Sequence, residues 1–119
     1  MHTHFDHIAI TSTNISDSIE FYEKNFVGVE ILYQDATWAF LEIGGTHLAL
    51  VTPGEHPPHL SFSVHTKKDL EDFAEKVKGK IVVHRDHSES FYFKDPSDNA
   101  IEIVWYPEGE SGISVDHSL

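Results

Sequence analysis

The chain has 119 residues, no cysteine and a formal charge of −12, from 8 basic and 20 acidic side chains. The missing thiols exclude disulfides, zinc–thiolate sites, iron–sulfur clusters and cysteine nucleophiles, so any bound metal must use His, Asp or Glu. The negative field repels phosphate backbones and anionic lipid, which argues against nucleic-acid and membrane partners, while 39% hydrophobic residues are enough for the core of one domain over residues 1–119.

Residues 5–10 alternate and are rich in β-branched and aromatic side chains, as a strand requires, and residues 11–14 supply turn chemistry after it. Asn14 then caps a stretch in which Ile15, Ile19, Tyr22 and Phe26 recur at helical spacing, ending near Gly28. Strands follow over 29–34, 37–43 and 46–51, the last two joined by Gly44-Gly45, a tight-hairpin signal. Residues 52–58 hold three prolines and a glycine and read as a connector. The pattern then restarts. Residues 59–64 form a strand, and Thr66 with Asp69 offers a capping box to a helix whose Leu70, Phe73, Ala74 and Val77 share a face and which Gly79 ends. Strands over 80–84, 90–93 and 100–106 complete the second copy, with the turn 95–99 before the last.

The chain therefore reads as α+β, with two tandem βαβββ modules at 5–51 and 59–106, the connector 52–58 and an acidic tail at 107–119. The expected architecture is a cupped mixed sheet around a metal cavity with the helices on its convex side. No apolar run approaches ~20 residues, and Met1-His2-Thr3-His4 has neither a basic nor an apolar leader, so a cytoplasmic location is expected.

Period-two alternation turns Ile8, Ile10, Leu48, Leu50, Leu60, Phe62, Val64, Phe91, Phe93, Ile101 and Ile103 toward the helices. The opposite face carries His7, Ala9, His47, Ala49, His59, Ser61, Ser63, Ser90, Tyr92 and Glu102, a polar and partly small set of the kind that lines ligand cavities. When the modules are superposed, His7 falls on His59, and Ala49 on Glu102. Two neutral imidazoles and one carboxylate are the smallest donor set that holds a divalent metal and leaves positions open to a substrate. His7, His59 and Glu102 are the expected ligands, for Fe, Mn, Zn, Ni or Mg. A carboxylate among Ile101, Ile103, Val104 and Trp105 would be costly without a partner. Val82 and His84 alternate onto the same face, which makes His84 a possible general base, although His84-Arg85-Asp86-His87 also reads as a solvated turn. Trp38 and Phe40 either wall the pocket or pack the core.

These stretches, namely residues 5–10, Ser18-Ile19-Glu20-Phe21-Tyr22, residues 59–64 and Ser90-Phe91-Tyr92-Phe93-Lys94-Asp95-Pro96 leading to Ile101-Glu102-Ile103, together resemble the vicinal oxygen chelate superfamily. That superfamily includes glyoxalases, extradiol dioxygenases, bleomycin-binding proteins and fosfomycin-resistance thiol transferases, and the last branch is closest in pattern. The resemblance implies paired βαβββ modules around a divalent metal held by His7, His59 and Glu102, and a homodimer with sites shared between chains. The second glutamate of glyoxalase corresponds to Ala49, which can neither bind metal nor move a proton; His47, two residues away, either substitutes for it or lines the rim. Ser90 and Tyr92 match substrate-contacting positions of the fosfomycin branch, whereas its phosphonate-binding threonine and lysine correspond to Ala9 and Val82.

The function expected is that of a metal-dependent lyase, transferase or dioxygenase that chelates a small oxygen-bearing organic substrate. Tyr92 and His84 would act in catalysis, and Ser90, His47 and Trp38 in substrate binding. The alternative is a metal-independent protein that sequesters a drug-like compound, as bleomycin-resistance relatives do.

Overall fold

The structure is a computed structural model that describes residues 2–107, so the acidic tail beyond Pro107, with His117, lies outside the described residues. In chain order the elements are β1 (Thr3–Thr11), α1 (Ile15–Asn25), β2 (Glu30–Gln34), β3 (Trp38–Ile43), β4 (Thr46–Val51), β5 (His59–Val64), α2 (Lys67–Val77), β6 (Val82–Val83), β7 (Glu89–Lys94) and β8 (Ala100–Trp105). The fold is α+β, and the order βαβββ occurs twice. The eight strands belong to one mixed sheet in the order β2-β3-β4-β1-β5-β8-β7-β6. Internal contacts divide the chain into two compact units, one from His7 to Pro58 and the other joining the residues up to Asp6 with those from His59 onward. No helix among the described residues is long and apolar enough to cross a membrane.

In the unit from His7 to Pro58, the Asn14 side chain accepts the Asp17 N–H at 3.0 Å and so satisfies one of the free donors that open α1. The helix buries Ile15 and Ile19 against Ala39, Leu41 and Leu50. The β3–β4 hairpin turns on Gly44 and Gly45, both at positive φ (59° and 78°), the backbone a tight hairpin demands and glycine adopts without strain. Strands β1 and β4 run parallel, with Ala9 opposite Ala49. The β2–β3 turn is tied by Asp35, whose carboxylate accepts from the Tyr33 hydroxyl and from the Thr37 and Trp38 N–H groups. Burial works to raise the Asp35 pKa, but these donors outweigh it and hold the group below the ordinary carboxylate value.

In the other unit, β5 and β8 are parallel and β7 is antiparallel to β8, which places Ser61, Glu102 and Tyr92 side by side on three adjacent strands. Thr66 caps α2 by accepting the Asp69 N–H, and the helix packs Leu70 and Ala74 with Val64, Phe91 and Ile103. The end of α2 differs from the sequence expectation. Lys78, not glycine, takes the left-handed conformation (φ 60°), while the Gly79 N–H bonds Ala74 O at 2.8 Å. Gly79 serves another need: a Cβ there would lie 2.7 Å from the Phe91 ring.

One further expectation is corrected. The strand expected over 80–84 is only Val82–Val83; beyond it the His84 N–H bonds Ser88 O and the His87 N–H bonds His84 O, so the chain turns back into β7 at once. Leu60, although it alternates with Phe62 and Val64 on β5, stays exposed, while Val64 is buried in the α2 cluster with Phe62 packed alongside.

Candidate metal centre

The unit containing β5, β7 and β8 supplies most of the polar side chains singled out in the sequence. Alternation puts His59 and Ser61 of β5, Glu102 of β8 and Ser90 and Tyr92 of β7 on one face, opposite the cluster that packs α2. His59 and Glu102 are buried, at 4% and 6% exposure, and the His59 Nε2 lies 3.7 Å from Glu102 Oε1. The carboxylate is also held by the protein: the fully buried Ser61 donates its hydroxyl to Glu102 Oε1 at 2.7 Å. On the other side of β8, the Tyr92 ring meets His59 edge to face at 5.2 Å, and its hydroxyl hydrogen-bonds Glu102. Burial first, then the charge of Glu102 and that hydrogen bond, push the Tyr92 phenol far above its ordinary pKa. Tyr92 is therefore a neutral hydrogen-bond donor near neutral pH, not a base.

His7 follows Asp6 along β1, at the point where the strand passes from one unit to the other. Asp6 accepts the buried Tyr106 hydroxyl at 3.1 Å; burial, and then the Asp6 charge, hold that phenol well above its usual value. His7 is buried, with its ring edge-on to Phe40 at 5.5 Å. His7, His59 and Glu102 are each buried and each offers one metal-donor atom. The donor set fits a divalent first-row metal, since imidazole nitrogen and carboxylate oxygen suit zinc, iron, manganese and nickel, and a negative carboxylate offsets part of the cation's charge.

The remaining expected residues fall into two sets. His84 and Ser90 are joined, with the His84 Nε2 2.7 Å from the Ser90 Oγ; Ser90 is buried and His84 half-buried. His47 and Trp38 belong to the unit from His7 to Pro58. There the His47 ring lies 5.3 Å from Phe40, and Trp38 is buried and stacked on Tyr33 at 4.6 Å. Ala49 keeps its register opposite Ala9 and Phe40, so the fourth position is occupied by a methyl group and His47 lies beside Glu42 instead. The sequence reading placed Ser61 on the polar face without a role. The signal was its position two residues after His59, but its pairing with Glu102 depends on a strand register that sequence alone does not reveal.

The profile of the Glyoxalase/Bleomycin resistance protein/Dioxygenase superfamily matches residues 4–103, and the chain belongs to that superfamily. It is 30% identical over 113 residues to a metallothiol transferase FosB of Staphylococcus haemolyticus (strain JCSC1435), covering 82% of this chain and 80% of the relative. Among solved structures, a hypothetical protein from Bacillus halodurans C-125 aligns with a TM-score of 0.68 at 18% identity, over 94% of this chain and 100% of that one. A variant of homoprotocatechuate 2,3-dioxygenase from B. fuscum aligns with a TM-score of 0.66 at 17% identity, over 94% of this chain and 35% of that one. These two likenesses concern the fold.

Proposed function

We propose that this chain is a metal-dependent enzyme acting on a small organic molecule with neighbouring oxygens, and that His7, His59 and Glu102 are the ligands of one divalent cation. The observation that carries this reading is the burial of two imidazoles and a carboxylate, with the His59 Nε2 3.7 Å from Glu102 Oε1. Burying such a set is costly unless charge and hydrogen bonds offset it, and a shared cation does both. When bound, the cation supplies a Lewis acid that polarises chelated substrate oxygens.

The chain's own groups have distinct tasks in this reading. The Ser90 hydroxyl binds a substrate oxygen, and His84, 2.7 Å from it, accepts a proton. The Tyr92 hydroxyl donates a hydrogen bond, while Trp38 and His47 contact the body of the substrate. Among lyase, transferase and dioxygenase chemistry, the name metallothiol transferase borne by the Staphylococcus relatives favours transfer of a thiol. Ala9 and Val82 provide no hydrogen-bonding side chain, so a phosphonate acceptor would lack the threonine and lysine donors of the fosfomycin branch. A homodimer with shared sites fits the family resemblance.

The test is elemental analysis of protein purified without chelator, followed by calorimetric titration with iron(II), manganese(II), zinc(II), nickel(II) and magnesium(II). One ion per chain, lost in His59→Ala, is expected. A wild-type chain that takes up none of these ions refutes the reading. The charge of −12 supports one other reading, sequestration of a cationic drug-like compound without metal. Such binding would persist unchanged in His59→Ala.

A further inference from the structure

Glu102 sits opposite Ser61 in the parallel β5–β8 ladder, and the Ser61 hydroxyl reaches its Oε1 at 2.7 Å. Ser61 has no exposed surface and Glu102 has 6%, so water does not compete effectively for this bond. At the comparable place in the β1–β4 ladder, two residues after His7, Ala9 faces Ala49 and no polar group is present. The hydroxyl at 61 thus accompanies the carboxylate. It is also directed at the oxygen that lies 3.7 Å from the His59 Nε2, the atom a shared cation would draw upon.

We propose that Ser61 is a positioning residue for the metal site, fixing the Glu102 carboxylate so that one of its oxygens is presented toward His59. This inference rests on the metal-dependent reading above. A carboxylate on a flexible side chain loses rotamer freedom when it binds a cation, and a hydrogen bond made beforehand removes part of that loss. The bond also occupies one lone pair of Oε1, which limits the ways the carboxylate can swing. Hydrogen-bonding partners of metal ligands commonly contribute 10–100-fold to metal affinity. The competing account is that Ser61 only satisfies a buried carboxylate and contributes to folding alone.

The experiment uses the full-length chain stripped with chelator and titrated calorimetrically with manganese(II) or zinc(II), comparing wild type, Ser61→Ala, Ser61→Thr and Ser63→Ala. Melting of each metal-free protein is measured in parallel. Positioning predicts that Ser61→Ala weakens metal binding about 10–100-fold, while Ser61→Thr, which retains the hydroxyl, restores most of it and Ser63→Ala changes it little. If Ser61→Ala melts early yet binds metal as wild type does, the competing account is correct and the proposal is overturned. The same conclusion follows if Ser63→Ala weakens binding as much as Ser61→Ala. If Ser61→Ala does not fold, the decision falls to Ser61→Thr and Ser61→Cys: affinity must stay near wild type in Ser61→Thr and fall in Ser61→Cys, whose thiol is a weak donor; equal affinities in the two overturn the proposal. Loss of metal binding by the wild type itself refutes the metal-dependent reading, which distinguishes that failure from this one.

Discussion

The C-terminus of α2 tests how far local rules explain this fold. A left-handed residue usually ends a helix best as glycine, yet the chain places Lys78 at φ 60° and its glycine one residue later. The structure gives a steric reason: a Cβ on Gly79 would stand 2.7, 2.8 and 3.0 Å from three atoms of the Phe91 ring. That ring is 1% exposed, stacked with Phe93 at 5.9 Å and set against Phe73 at 5.7 Å, so it has no free volume to move into. Gly79→Ala should therefore cost about 1–3 kcal/mol of overpacking, reduced by about 0.5 kcal/mol because alanine restricts the unfolded chain. Lys78→Gly should gain about 0.5–1 kcal/mol by relieving the left-handed strain, after the greater unfolded-state entropy of glycine is subtracted. At about 4 °C per kcal/mol for a domain of this size, Gly79→Ala should lower the melting temperature and Lys78→Gly raise it, both measurable by calorimetry. Phe91→Leu combined with Gly79→Ala should cost less than the two single changes added together, because the smaller side chain vacates the clash. A Gly79→Ala variant as stable as wild type, or strict additivity with Phe91→Leu, would refute the steric account.

Two further outcomes are expected. Because Asp35 has a folded pKa below its unfolded value, its contribution is present above the ordinary carboxylate range and is lost as pH falls through the depressed value. Denaturant melts of wild type and Asp35→Asn should therefore differ at pH 7 and converge below about pH 3; a gap that stays constant with pH would contradict the assigned hydrogen bonds. A divalent ion at a hundredfold excess over its dissociation constant should add about 2.7 kcal/mol of stability, which chelator removes, and Glu102→Gln should abolish most of that increment. An equal increment in Glu102→Gln would mean that the ion binds elsewhere.

Much of the architecture was legible because it rests on local periodicity. The caps at Asn14 and Thr66, the hairpin at Gly44-Gly45 and the apolar faces of α1 and α2 lie where residue spacing places them. The same alternation put His7, His59 and Glu102 on the polar face before any contact was known. A boundary failed where a turn competed with a strand: the strand over 80–84 stops at Val83, before the turn at His84.

The sequence alone determined the order of the elements and the alternation of faces along each strand, because these follow from steric preferences of neighbouring residues, and it singled out the candidate donors. Tertiary structure decided which residues meet across strands: Ser61 with Glu102 and Tyr92, Ala9 with Ala49, His84 with Ser90, and the Phe91 ring over Gly79. Such meetings depend on the register of segments far apart in the chain, where a slip of one residue would exchange the two faces of a strand, and only the packing of the whole sheet against its helices fixes that register.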